Sequence, residues 1–275
     1  MTLLKDEPSA QIPWQNTILA FAELLTLETL QTANLVQENW IVNSKIQAMS
    51  ALTMATRRKL TPKGHATRAR IVAAAAQRIQ AHGATRTSTE EICEAAGVSS
   101  SQLYHYFADK GSLVRAVIAY QTERVLGVQR EYLGHLDSIH ALRKWRDLLV
   151  GIEQGLQCEG GCPLGTLAAQ LAETSHAARV DLCSAFERWE DGIRSGLRTM
   201  YDRGEFPKSV DPDRLALALL AAVEGGFLLT QVRRTTAPLE DALDTVLDYI
   251  ESLLCHPEVR ALRLASLAQD KLREP

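Results

Sequence analysis

Apolar residues recur every three or four positions along most of this chain, the spacing of helices that bury one face. Ile71, Val72, Ala75 and Ile79 share a stripe within Arg70–Ala81, and Gly83 follows as a C-terminal stop. Val114, Val117, Ile118, Val125, Val128 and Tyr132 predict one long helix from Val114 onward. Leu243, Val246, Leu247, Ile250, Leu253 and Leu254 predict another, starting near Leu239. Between these lie an expected helix from Thr166 to Glu173 and a long one from Ala177 to Tyr201. Leu215–Val223 is an unbroken apolar run behind the start signal Asp211-Pro212-Asp213. It predicts a helix that is buried on nearly all sides and continues through Phe227 to Val232. Alternating strand patterns bounded by turns are absent from the sequence, so the expected fold is all-α.

The most informative stretch runs from Ser88 to Phe107. Ser88-Thr89-Glu90-Glu91 has the form of a capping box, in which hydroxyl and carboxylate each satisfy a backbone N–H of the other. The short helix it opens, Glu90–Ala96, should bury Ile92 and either Ala95 or Ala96. Gly97 provides a turn, Val98 an apolar plug, and Ser99 caps a second short helix, Ser100–Tyr106, with Leu103 inward. Two short helices around such a turn form the element that lays its second helix in a major groove. Its outer face offers Ser99, Ser100, Ser101, Gln102, Tyr104 and His105, donors and acceptors suited to phosphates and base edges.

Charge changes the picture. The 275 residues carry 30 Lys and Arg against 33 Asp and Glu, a net of −3 that argues against a nucleic-acid partner. Between Arg57 and Arg115, however, ten basic residues face four acidic ones, a net of +6, leaving −9 for the remainder. A basic module attached to an acidic body is an electrostatic footprint for nucleic acid.

The residues from Thr67 to Ala119, and above all the string Gly97-Val98-Ser99 … Leu103-Tyr104-His105-Tyr106-Phe107 … Lys110 … Leu113, resemble the DNA-binding domain of TetR/AcrR-type transcriptional regulators. The resemblance implies a one-component repressor: an all-α homodimer with an N-terminal helix-turn-helix and a larger C-terminal ligand-binding and dimerisation domain. Carried over by position, it makes Ser99, Ser100, Ser101, Gln102, Tyr104 and His105 operator-facing. It makes Thr89 and Lys110 phosphate contacts, with the amides at the start of the helix after Lys110 also favouring phosphate. The domains expected are an N-terminal helical extension over 1–56, a helix-turn-helix domain over 57–114, an effector-binding and dimerisation domain over 115–255, and a tail over 256–275. The last two helices, within 211–254, are expected to pair with those of a second copy. The segment Gly160-Gly161-Cys162-Pro163-Leu164-Gly165 resembles a Gly-Cys-Pro-x-Gly element of one branch of the family.

An effector cavity is expected between Arg115 and Arg203, lined by Trp145, Leu148, Ile152, Cys162, Leu167, Leu171, Phe186, Trp189 and Ile193, and the apolar bias suggests a hydrophobic or amphipathic small molecule. Two alternatives stay open. One is a thiol-based redox or electrophile sensor through Cys158 and Cys162, four apart beside glycines and on that ground expected to be exposed. The other is a ligand-independent DNA-binding protein. Five cysteines (93, 158, 162, 183 and 255) make no disulfide framework, and Cys183 and His176 lack any recognisable zinc spacing, so neither metal nor cofactor is expected. Near the start, the apolar run Thr17–Leu27 is short and broken by Glu23, and no signal peptide is readable, so a cytoplasmic protein with no membrane partner is expected. From Trp14 to Thr56 there is neither Gly nor Pro, and the apolar spacing suggests helix. No nucleophile elbow, phosphate loop or zinc-protease motif occurs, which argues against an enzyme.

Overall fold

The computed structural model describes residues 60–254; the expected helix over 14–56 and the tail over 256–275 lie outside the described residues. Every regular element among the described residues is an α-helix. Pro62 opens α1 (Pro62–His82), nine residues before the first of the apolar stripe, because a proline at the first helical turn needs no N–H partner and the exposed face there carries no apolar signal. Ile71, Val72, Ala75, Ala76 and Ile79 bury its inner side. Two short helices follow, α2 (Thr89–Ala96) and α3 (Ser100–Tyr106), then α4 (Lys110–Val128). The long helix expected through Tyr132 breaks at Gln129, and Tyr132 sits in a separate single turn, α5 (Arg130–Leu133). The Gln129 side chain explains the break. Its Nε2 donates to the Val125 carbonyl at 2.9 Å, and its Oε1 accepts from Trp145 Nε1 at 2.8 Å, a buried tie that closes the helix.

The remainder is a helical body: α6 (Ile139–Gly155), α7 (Pro163–Leu171), α8 (His176–Asp202), α9 (Pro212–Arg233) and α10 (Ala237–Ser252). Asp211 caps α9 by accepting from the backbone N–H groups of Asp213 and Arg214, and Pro212 fills its first position, as the start signal predicts. The core runs without a break from α1 to α10, with Trp145 and Trp189 among its fully buried side chains. α9 packs on α8 and α10, α8 packs on α4, and α4 packs back on α1, so the described helices form one compact unit. The expected boundary at 114/115 therefore falls inside a continuous helix. Arg143 bridges Asp248 and Glu251, and Arg146 pairs with Asp244, fastening α6 to α10.

The apolar run of α9 is covered on one side only. Leu215, Leu219, Leu220, Val223 and Phe227 are buried, whereas Leu217 is 56% exposed, Leu228 60% and Val232 71%. The expectation of burial on nearly all sides is corrected: an unbroken run supplies both faces, and the described helices cover only half. α9 is long and apolar enough to cross a membrane by composition, but its inner half is core against α8 and α10.

Candidate nucleic-acid interface and ligand cavity

The candidate DNA-facing helix is held by local chemistry. Ser88 Oγ accepts from Glu91 N at 3.1 Å and Glu91 Oε2 accepts from Ser88 N at 2.8 Å, the reciprocal cap read from the sequence. These bonds to the ionised form hold the Glu91 carboxyl below its ordinary value. Gly97 closes α2 in the left-handed region at φ 61°, where a side chain would be strained, and Val98 N reaches back to the Cys93 carbonyl at 3.0 Å. Ser99 repeats the box with Gln102: each backbone N–H meets the other's side-chain oxygen, at 3.2 and 3.0 Å. Leu103 and Phe107 are buried beneath, Ala96 rather than Ala95 is the buried alanine, and the Arg68 guanidinium stacks over the Phe107 ring at 5.0 Å.

Ser99, Ser100, Ser101, Gln102, Tyr104 and His105 are all exposed on this capped helix. Ser99 and Gln102 spend an acceptor on the cap and keep a hydroxyl and an amide NH2 as donors. Thr89, half-buried at the start of α2, turns its hydroxyl toward the Glu90 carboxylate at 3.3 Å. Lys110 reaches the Thr85 carbonyl at 3.4 Å. Of the amides opening α4, which the resemblance offers to phosphate, that of Ser112 is already taken. Asp109 Oδ1 accepts from Ser112 N at 2.6 Å and places a carboxylate beside that end. Not every basic residue in the positive stretch serves a surface. Arg70 donates to the Ala96 carbonyl at 2.8 Å, and Arg115 makes a two-point pair with Asp181 on α8.

Behind this module, a cavity of about 320 Å³ lies where α1, α4, α6, α8, α9 and the Gly161–Pro163 loop meet. Of the residues expected to line it, Ile152, Cys162 and Trp189 do. Trp145, Leu167 and Ile193 are core, Leu148 and Phe186 are half-buried elsewhere, and Leu171 faces a different recess. That recess, about 480 Å³ between Lys110–Arg115 and Ser175–Ala178, carries no buried unpartnered polar atom on its walls. The sequence reading missed Gln80, Gln121, Arg124, Glu153 and Phe227 of the cavity wall. A signal existed: Gln121 and Glu153 occupy buried positions on otherwise apolar stripes, after Val117/Ile118 and Leu149. Burial raises the Glu153 carboxyl above its ordinary value.

The expected exposure of Cys158 and Cys162 is not found; both are buried. The turn that carries them folds inward, with left-handed φ angles at Gln157, Cys158, Gly160 and Gly161. Cys162 Sγ caps α7, accepting from Gly165 N at 3.5 Å, and burial together with the neighbouring Glu224 carboxylate pushes its thiol well up. That is the reverse of what a reactive thiolate needs. The exposed Cys183 donates to Glu187 at 3.3 Å, which also raises its thiol.

Two links join cavity and module. α4 carries Lys110 at one end and Gln121, Arg124 and Val125 on the cavity wall. On α7, which the Cys162 turn opens, Gln170 Oε1 accepts from Ala84 N at 2.7 Å, between α1 and α2.

A capped helix pair of this geometry, seated on a helical body with its own cavity, defines a helix-turn-helix protein. The family profile described as "Bacterial regulatory proteins, tetR family" matches residues 71–117, and that described as "Tetracyclin repressor-like, C-terminal domain" matches residues 139–246. An HTH-type transcriptional regulator of Mycobacterium tuberculosis is 27% identical over 212 residues, 74% of this chain and 96% of that protein. The HTH-type transcriptional repressor DhaR of Mycobacterium sp. is 24% identical over 168 residues, 60% of this chain and 83% of that protein. The crystal structure of a TetR transcriptional regulator from Chloroflexus aurantiacus superposes with a TM-score of 0.61 at 29% identity, covering 70% of this chain and 98% of that one. The chain belongs to the TetR family: it is a transcriptional regulator, not an enzyme.

Proposed function

We propose that the protein is a ligand-responsive repressor that binds operator DNA as a homodimer and releases it when a small molecule fills the cavity between α4, α6 and α8. The observation that carries this reading is the sharing of α4. One helix follows the recognition helix after a three-residue link and walls the cavity at Gln121, so a ligand pressing on α4 acts close to the DNA-facing surface. Repression is the action stated in the name of the relative DhaR and is assigned here on that likeness.

In this reading α3 lies in the major groove. Ser100, Ser101, Tyr104 and His105 face base edges, the Ser99 hydroxyl and the Gln102 amide donate to phosphates or bases, and Thr89 and Lys110 bind phosphate after giving up their weak contacts with Glu90 and Thr85. Two half-sites about one helical turn, roughly 34–36 Å, apart need two copies. The exposed apolar half of α9 supplies the surface on which a second copy would pair. The protein acts in the cytoplasm, where its DNA and its reduced thiols belong.

Operator fragments selected from genomic DNA and used in gel-shift titrations test the reading. Tyr104→Ala removes a ring that is 52% exposed and touches little of the protomer. It should weaken operator binding at least tenfold while leaving assembly and melting temperature unchanged. Unaltered operator affinity in that variant refutes the assigned face.

A further inference from the structure

The cavity is walled by three buried side chains that each leave a polar atom without a hydrogen-bond partner: Gln121 Oε1 on α4, Glu153 Oε2 on α6 and Trp189 Nε1 on α8. These residues are only 1–2% exposed, so bulk water does not satisfy them. Of the other two side-chain amides on the wall, Gln129 is spent on Trp145 and Val125, and Gln80 is exposed. An unpaired buried acceptor costs on the order of 1–3 kcal/mol, and a carboxylate costs more. Three such residues on the wall of one void are the mark of a site that a ligand completes.

The chemistry of the three atoms restricts that ligand. Two are acceptors, one of them a carboxylate oxygen, so the ligand must donate at least two hydrogen bonds, and positive charge on the donor balances the buried acid. The indole N–H asks for one acceptor. Trp189 and Phe227 add aromatic wall, which suits a cation carried on an apolar body. The one basic side chain on the wall, Arg124, is exposed and stacks 5.7 Å over the Tyr120 ring, at the solvent side of α4. It therefore does not neutralise Glu153, to which no ion pair is made among the described residues. Of the hydrophobic or amphipathic effectors expected from the sequence, a purely apolar one would leave all three atoms stranded; an anion would meet the carboxylate head-on.

We infer that the effector is a small organic cation with hydrogen-bond donors, an amine or amidine on an aromatic or aliphatic body, seated on Glu153 and Gln121. This inference rests on the ligand-responsive reading above and replaces its unspecified small molecule with a chemical class.

Calorimetric titration of the full-length protein with benzamidine, phenethylamine and benzoate tests the class without any DNA. Expected are binding of at least one of the two cations and none by benzoate. Glu153→Gln keeps the shape, removes the charge and should weaken cation binding about tenfold or more, while raising the melting temperature of the unliganded protein. A residue with a purely structural role would not move those two readouts in opposite directions. Gln121→Leu, which removes the second acceptor, should also weaken the cation. Benzoate binding as tightly as the cations, unchanged cation affinity in Glu153→Gln, or no binding of either cation at millimolar concentration overturns the inference. Gel shifts separate it from the function beneath it. A cation that fills the cavity yet leaves the operator complex intact refutes the release mechanism alone, whereas an effector that releases DNA through this cavity but is anionic refutes the cation alone.

Discussion

Substituting Leu228 on the outer face of α9 tests whether that face joins two copies. The side chain is 60% exposed; Leu217, Leu229 and Val232 of the same helix are exposed too, and Tyr249 of α10 is 57% exposed. Fully burying a leucine is worth about 1.5–3 kcal/mol, so covering its remaining exposed part would contribute roughly 1–2 kcal/mol. A two-fold interface presents each residue twice, which doubles the loss to roughly 2–4 kcal/mol per dimer. At 1.4 kcal/mol per decade, Leu228→Ser should then weaken dimerisation by roughly 30- to 700-fold. The protomer should barely notice, since most of this side chain touches nothing within it. Sedimentation equilibrium across a concentration series reads the dissociation constant, and a thermal melt of the dissociated protein checks the fold. Two results refute the reasoning: wild type that stays monomeric at tens of micromolar, or a Leu228→Ser dimer as tight as wild type.

Three further outcomes follow from the packing. Gly196 lies where α8 crosses the Leu136 backbone, and a methyl there would run into the Leu136 carbonyl; Gly196→Ala should cost about 1–3 kcal/mol and lower the midpoint of denaturant unfolding, and an unchanged midpoint contradicts the close crossing. The Gln170–Ala84 bond is the second tie between cavity and module, so Gln170→Ala should leave ligand affinity intact while shrinking the ligand-induced loss of operator affinity, measured by gel shift with and without effector. Burial raises the Glu224 carboxyl, so between the ordinary carboxylate value and the raised one the native state holds a proton that the unfolded chain has released; stability therefore falls as pH rises through that window. Glu224→Gln should abolish this decline, and a wild-type-minus-variant stability difference that is flat between acid and neutral pH rules it out.

What could be read from the sequence was what is decided within a few residues. The caps Ser88–Glu91 and Ser99–Gln102 close over three positions, and Asp211-Pro212 starts α9 by itself, so their structures follow from local chemistry. The break at Gln129 could not be read this way, because its cause is Trp145, sixteen residues on and in another helix. Nor could the run Leu215–Val223 reveal that Leu217 faces outward: which half of an all-apolar helix is covered depends on what packs against it. The cavity was the hardest feature, since it exists only where five helices and a turn meet. Its apolar members are indistinguishable in sequence from core, as Trp145 and Ile193 demonstrate. Only the out-of-place polar residues, Gln121 and Glu153, mark it.

The two ties between cavity and module differ in what they transmit. α4 is held at both ends, by the Asp109–Ser112 cap beside the recognition helix and by the Gln129–Trp145 bond beyond the cavity. Gln121 lies eleven residues after Lys110, about 16 Å along the axis at 1.5 Å per residue. A tilt of about 5° pivoting at Gln121 then moves the Lys110 end by roughly 1.5 Å, enough to carry side chains out of the narrow range in which hydrogen bonds to bases hold. The Gln170–Ala84 bond fixes the turn between α1 and α2 to the body close to the Lys110 end of α4, where Lys110 reaches the Thr85 carbonyl. In the proposed homodimer, a ligand that draws Gln121 toward Glu153 on α6 would need to shift α4 only slightly to spoil the fit to two successive grooves.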